Sequence, residues 1–458
     1  MDQEKNTKRQ SPKLVIPFFA VLAALAVIAA IVPLRPTVSY DEKRELAKFP
    51  AFSWEALLSG SYFDDITLWY SDTFPGREGW LEVSQMLSSL HGYGSIAIEG
   101  QLPELVEVPE IPAPTRPPET VPEIPSEEPT ETAPAEESTE TVPAETEQED
   151  GEILLDATFS SSSVVQIGGS AYQPLGFSQQ HSDRYIKILN TLAAAVEPKG
   201  VRVVSAPPPL AIGTMVDAKY LPELRSADQE QTLRYLHESM VDSVVTVDTH
   251  NALIPHRDEY LFFHGDHHWT ALAAYYCYQA TCEAMGLEAA DLEDFEVLDQ
   301  GEFRGTLRGK ARYPYKLTQD YVISYIPPGD ISLTCYGQNG GTWEGTVIRD
   351  LRNDKVGSKY LCFLEGDQPL VCMTNHDLPE DAGNCLILKD SFGNCFVPYF
   401  SQNYRNVYAI DYRKYHQDTI QRFVEAYDIQ DVIIAPNLMS IQSDPGTKAL
   451  GARCGLHF

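Results

Sequence analysis

The chain is predicted to fold as an α/β protein with a mostly parallel sheet flanked by helices, a β-rich insertion and an N-terminal transmembrane helix. Three observations predict this. Short apolar runs alternate with amphipathic stretches from residue 153 onward; the alternation lapses between about Gly305 and Leu378 in favour of strand-type residues; and residues 14–34 carry no charge. Strands separated by helices run the same way, and the helices then cover the faces of the sheet.

From the N-terminus, Leu14 to Leu34 gives 21 uncharged positions, with Lys5, Lys8, Arg9 and Lys13 just upstream. That length spans a hydrocarbon core, and basic flanks stay cytoplasmic. Residues 1–13 therefore read as a cytoplasmic tail, 14–34 as a single anchor in the cytoplasmic membrane, and everything after Arg35 as extracytoplasmic. A cleaved signal peptide is the competing reading, for which the apolar stretch is long. Residues 40–98 form the first part of the outer domain, with helices through Trp54–Leu58 and Ile66–Tyr70.

Residues 99–152 are rich in Pro, Glu and Thr, with sixteen acidic residues against one basic residue, Arg116, between Pro103 and Glu152. Such a stretch cannot bury apolar surface and is expected to be disordered, as a stalk or a solvated insertion. It supplies roughly half of the formal charge of -32. An acidic chain without a Lys/Arg cluster in its folded part repels phosphate backbones, which argues against nucleic acid as a partner.

Residues 153–458 read as a folded segment of alternating strands and helices. A hairpin is expected at Val164–Tyr172, strands at Val201–Val204, Val244–Val247, Leu386–Leu388, Val407–Ile410 and Val432–Ala435, and helices at Arg184–Val196, Gln229–Val241, Thr270–Met285 and Thr419–Tyr427. The region from about Gly305 to Leu378 is expected to be a β insertion or a lid. Eight cysteines lie in the second half without a CxxC pair, so no disulfide is assigned and a cysteine zinc site is disfavoured.

Two strings carry chemistry: Asp266-His267-His268-Trp269-Thr270, and Lys389-Asp390-Ser391-Phe392-Gly393-Asn394 after the apolar run Leu386–Leu388. A serine hydroxyl needs an imidazole to take its proton and a carboxylate to orient that imidazole. If 266–268 is extended, Asp266 and His268 project to one side and His267 points away. Ser391 at a strand end places the hydroxyl where α/β sheets bind ligands, and a helix or turn from Phe392 would aim backbone N–H groups at a bound oxygen. Each residue also has a plainer use. Ser391 after Asp390 can be a helix cap, His267, His268 and Trp269 can be core and capping residues, and Asn394 and Arg413, secondary candidates for the oxyanion or substrate, can be a turn former and an ion pair with Asp411. His264, Asp266, His267 and His268, with Asp248, His250 and His256, are the right types to ligate a metal, but their spacing matches no metal motif.

The string 266–270 resembles the one that names the DHHW protein family, and Lys389 through Pro398 resembles that family's serine block. Further matches are Asp41 to Leu46 with Pro50, Asp72 to Arg77, and Ile410 to Tyr415. The family is similar to the alginate O-acetylation proteins, with an SGNH-hydrolase-like fold of circularly permuted topology. The resemblance implies Asp266, His268 and Ser391 as a triad, needing no cofactor and no metal. It implies O-acetyl transfer to, or removal from, a cell-surface polysaccharide, with a membrane-bound acyltransferase as a possible acetyl supplier. Two departures stand out: Lys389 replaces the glycine usual before Asp-Ser, and no carbohydrate-binding module is recognised at the C-terminus. The reading from a different class is an envelope scaffold or glycan-binding protein without turnover, and a lesser one is a metal-dependent hydrolase using the His/Asp cluster.

Overall fold

Every residue of the strand Asp431–Ala435 is buried, and a strand with no exposed face lies inside a sheet covered on both sides. The structure, a computed structural model, describes residues 38–39, 44–45, 48–53, 61–74, 108–109, 157–159 and 164–458, apart from 312–313, 339 and 355–357. Its main sheet has eight strands: β1 Arg202–Ser205, β2 Val244–Thr246, β3 Ile331–Tyr336, β4 Thr342–Gly345, β5 Leu370–Asn375, β6 Asn384–Lys389, β7 Asn406–Asp411 and β8 Asp431–Ala435. Their spatial order is β4-β3-β5-β7-β6-β8-β1-β2.

The strands expected near 201–204, 244–247, 386–388, 407–410 and 432–435 occur as β1, β2, β6, β7 and β8, and neighbours among them pair in parallel. Four of the seven pairings in the main sheet are parallel, in keeping with a mostly parallel sheet, and the other three are antiparallel. β3 pairs antiparallel with both β4 and β5, and β5 pairs antiparallel with β7. The connection from β3 to β4 is the short turn 337–341, and a link that short can join only antiparallel strands. The region 305–378 is therefore neither an insertion nor a lid as a whole, since three of its strands extend the main sheet. Its fourth strand, Asp320–Ile326, pairs with Glu296–Phe303 as a separate two-stranded sheet.

Caps fix the helix ends. Ser178 accepts from the His181 N–H, so the first long helix covers Gln179–Val196 and starts earlier than apolar spacing alone indicated. Asp228 caps Gln229–Glu238. The Thr270 hydroxyl caps Ala271–Met285, which ends at Gly286 with φ of 69°, a left-handed conformation that glycine adopts without strain. The last residue of the 266–270 string is thus the cap of a helix packed against β2.

Helix Ser61–Asp72 contains the expected turn at 66–70. No helix among the described residues is long and apolar enough to cross a membrane. The tail 1–13, the anchor 14–34, the helix 54–58 and nearly all of 99–152 lie outside the described residues. All eight cysteines are buried and unpaired, and burial pushes the thiols of Cys282, Cys395 and Cys454 up to about 12.

Candidate active site

Ser391 follows β6, which lies between β7 and β8. The chain leaves β6 to pair on one side and then crosses to the other, so the serine stands at the carboxyl end of a strand where the winding reverses, the position at which α/β sheets open a crevice. The turn Ser391–Asn394 is a short 3-10 helix capped by Asp390, whose Oδ1 accepts the Phe392 N–H at 3.0 Å. Asp390 Oδ2 accepts from Asn437 N, Asn437 Nδ2 and Ser440 Oγ, which anchors the turn to the segment after β8. Its carboxyl sits above its ordinary range because it is fully buried, although these donors oppose the rise. The Phe392 N–H, expected to face a bound oxygen, is therefore taken by the cap. The Ser391 N–H makes no hydrogen bond among the described residues.

Across the turn, His268 Nε2 lies 2.8 Å from Ser391 Oγ and His268 Nδ1 lies 2.5 Å from Asp266 Oδ1. A carboxylate accepts only, so the geometry assigns the ring proton to Nδ1 and leaves the Nε2 lone pair to receive the serine O–H. Asp266 and His268 are fully buried, while Ser391 is partly exposed. Asp266 also accepts from His268 N at 3.1 Å and, through Oδ2, from Thr306 N at 2.7 Å and Thr306 Oγ1 at 3.0 Å. Asp266 thus accepts from four donors.

The segment 264–268 is a series of bends, not an extended strand. His267 consequently does not point away. Its ring lies 3.9 Å from that of His268, and its Nδ1 is 2.8 Å from Thr306 Oγ1 and 3.6 Å from Asp266 Oδ1. The bends are held by Asp320, which accepts from His264 N, Gly265 N and Tyr260 Oη at 2.6–2.7 Å. Gly305 admits the close approach of this loop to the next, since a Cβ there would meet Gly265 O at 2.3 Å and Asp266 Cβ at 2.4 Å. Trp269 is buried and donates its indole N–H to Phe392 O at 2.9 Å, joining the histidine loop to the serine turn.

Asn394 and Arg413 are placed elsewhere. Asn394 is buried, accepts from Lys389 Nζ at 2.5 Å and donates to Asp367 Oδ1 at 2.8 Å. Arg413 pairs with Asp411 through two nitrogens, at 2.8 and 2.6 Å, and reaches Asp367 at 3.1 Å. Both belong to a polar network around Lys389, a buried ammonium that desolvation pulls below its ordinary value while Asp411 and Asp367 oppose the fall. Within the wider His/Asp cluster, Asp266, His267 and His268 come together with ligand-type atoms within 4.8 Å. The others go elsewhere: His264 Nδ1 lies 2.7 Å from Ser170 Oγ, His256 Nδ1 lies 2.7 Å from Glu259, and Asp248 accepts from Asn251. Both ring nitrogens of His268 are already engaged, so a metal there would displace either Asp266 or Ser391. Thr306, Asp320 and Tyr360, whose ring stacks on His268, escaped the sequence reading because each comes from a separate segment without a motif.

No curated protein matches the chain in sequence. Among solved structures, a DHHW family protein from Eubacterium siraeum is 24% identical over 66% of this chain and 98% of its own, with a TM-score of 0.58. PatB1 of Bacillus cereus, carrying a sulfonyl adduct, is 16% identical over 63% of this chain and 97% of its own, with a TM-score of 0.51. The O-acetyltransferase domain of Pseudomonas putida AlgJ is 13% identical over 63% of this chain and 92% of its own, with a TM-score of 0.38. The sequence profile of the DHHW proteins matches residues 42–410, and the chain belongs to that family.

Proposed function

We propose that the protein is a membrane-anchored, extracytoplasmic serine O-acyltransferase or acetylesterase acting on a cell-surface polysaccharide, with Ser391 as nucleophile, His268 as base and Asp266 as its orienting carboxylate. The observation that carries this is the unbroken hydrogen-bond chain from Asp266 through His268 to the partly exposed Ser391 hydroxyl. The motif resemblance supplies the substrate class and the expectation of a membrane-bound acetyl supplier, and residues 14–34 supply the anchor.

In the first step Ser391 Oγ attacks the ester carbonyl as its proton passes to His268 Nε2. The new Oγ–C bond makes a tetrahedral oxyanion, for which the unengaged Ser391 N–H is the donor at hand. Collapse breaks the ester C–O bond, and the Nε2 proton leaves with the departing alcohol. In the second step a sugar hydroxyl or water gives its proton to Nε2 and attacks the acyl carbon, and the proton returns to Ser391 Oγ. Asp266 remains ionised throughout and stabilises the imidazolium across Nδ1.

The test is a chromogenic acetyl ester together with a sulfonyl fluoride, a reagent class chosen to match the adduct on PatB1. Wild type should turn over the ester and gain one sulfonyl group at Ser391; Ser391→Ala and His268→Ala should do neither. Chelator should change nothing. Turnover that survives Ser391→Ala but collapses with chelator would move the assignment to metal chemistry. Absence of turnover by wild type, on esters and on acetylated glycans alike, would favour a glycan-binding or scaffold protein.

A further inference from the structure

Besides His268 itself, Trp269 ties the histidine loop to the serine turn by its hydrogen bond to Phe392 O, and Tyr360 bridges the two from a third segment. Tyr360 touches both partners of the proton transfer. Its ring lies nearly parallel to the His268 imidazole, 4.2 Å away at an interplanar angle of 18°. Its hydroxyl donates to the carbonyl oxygen of Ser391 at 3.0 Å, with Phe392 O at 3.4 Å. Tyr360 is itself immobilised, fully buried with Phe263 and Phe363 against its ring. Burial pushes its phenol well above its ordinary value, so the hydroxyl keeps its proton and remains a donor.

The torsion that turns an imidazole about its Cβ–Cγ bond is soft, and hydrogen bonds at its two nitrogens are what normally fix the ring plane. Before reaction His268 has both: Asp266 at Nδ1 and Ser391 at Nε2. Once Ser391 Oγ is acylated it has no proton left to donate, and the Nε2 restraint is lost. The stacked face of Tyr360 is unaffected by that change. We propose that Tyr360 is a positioning residue that holds the His268 ring plane through the acyl-enzyme stage and so serves the second half-reaction more than the first. The proposal rests on the assignment of Ser391 and His268 given above.

The full chain is compared as wild type, Tyr360→Phe and Tyr360→Leu. With a chromogenic acetyl ester, the burst reports acylation and the steady state reports deacylation. Tyr360→Leu should slow acylation by about tenfold and deacylation by about a hundredfold, so that acyl-enzyme accumulates. Tyr360→Phe keeps the stacked ring and should restore the deacylation rate to within about threefold of wild type. A general loss of folded protein would scale both steps together. Equal slowing of both steps, failure of Phe to restore deacylation, or wild-type rates in the Leu variant would each overturn the proposal.

A second readout does not depend on turnover. The His268 Nδ1–H, held against Asp266, should give a far-downfield proton resonance that persists in wild type and Tyr360→Phe and is lost to exchange in Tyr360→Leu. An unchanged resonance in the Leu variant overturns the positioning role. A wild type that shows the resonance but is never acylated overturns the enzymatic assignment instead.

Discussion

Asp266 uses both carboxylate oxygens, one toward His268 and one toward Thr306, so an amide in its place cannot accept at every contact. Asp266→Asn should favour the imidazole tautomer with its proton on Nε2, and sulfonylation of Ser391 should fall by about three to four orders of magnitude at neutral pH. Retention of the wild-type labelling rate would remove Asp266 from the proton relay. Asp367 offers a test by pH. Burial alone would raise its carboxyl, but Lys389, Arg413, the Asn394 amide and Lys414 outweigh this and hold it well below the usual carboxylate range. A folded pKa below the unfolded value of about 3.9 contributes stability that is complete above that pH and is lost as pH falls toward the folded pKa. Asp367→Asn should therefore cost about 1–3 kcal/mol at pH 7 by denaturant titration, and the gap from wild type should shrink below about pH 4. A gap that stayed constant with pH would mean the carboxylate charge is not what stabilises the network. At this scale the juxtaposition of Asp266, His268 and Ser391 was legible because a serine relay needs particular residue types, and these fall in two short strings. Asn394 and Arg413, whose plainer readings were a turn and an ion pair with Asp411, contact Asp367, Asp411 and Lys389, and the burial of Lys389 is disclosed by no local pattern.

The serine turn and the histidine loop are positioned by close backbone approach. A Cβ at Gly305 would collide with the backbone of Gly265, and one at Gly393 would meet Lys389 Cβ at 2.4 Å. Gly305→Ala should thus lower stability by about 1–3 kcal/mol and, by displacing the loop that carries Asp266, slow Ser391 labelling by more than the loss of folded protein accounts for. Normal labelling kinetics in a destabilised variant would confine Gly305 to folding. Elements themselves were readable where apolar runs are compact: β6, β7 and β8 sit where Leu386–Leu388, Val407–Ile410 and Val432–Ala435 indicated. Helix ends moved by a few residues because caps such as Ser178 act through one hydrogen bond rather than through periodicity. Strand direction in 331–375 was not readable. An isolated strand has the same apolar pattern whichever way it runs, and only the pairing of β5 with β7 decides it.

For the whole molecule, the candidate site lies over the middle of the sheet while the expected anchor is residues 14–34, so the proposed attachment and the proposed chemistry lie far apart in sequence. The full chain is expected to stay with membranes through an alkaline wash, and deletion of residues 1–37 should release it with ester turnover retained. Release of the full chain by the wash would reject the anchor. The parallel half of the sheet was legible at this scale from alternation of strands and helices, whereas the bent loop at 264–268 depends on Asp320 from another sheet and could not be inferred locally.

The sealed thiols give this architecture a requirement of its own. None of the eight sulfurs has a covalent partner and all are inside the fold, so maturation needs neither an oxidase nor an isomerase, and added reductant should leave the melting midpoint unchanged. Were the chain exported, as proposed above, it would enter an oxidising space with every sulfur open to mispairing until it collapsed. Speed of burial is then what keeps the polypeptide free of wrong crosslinks.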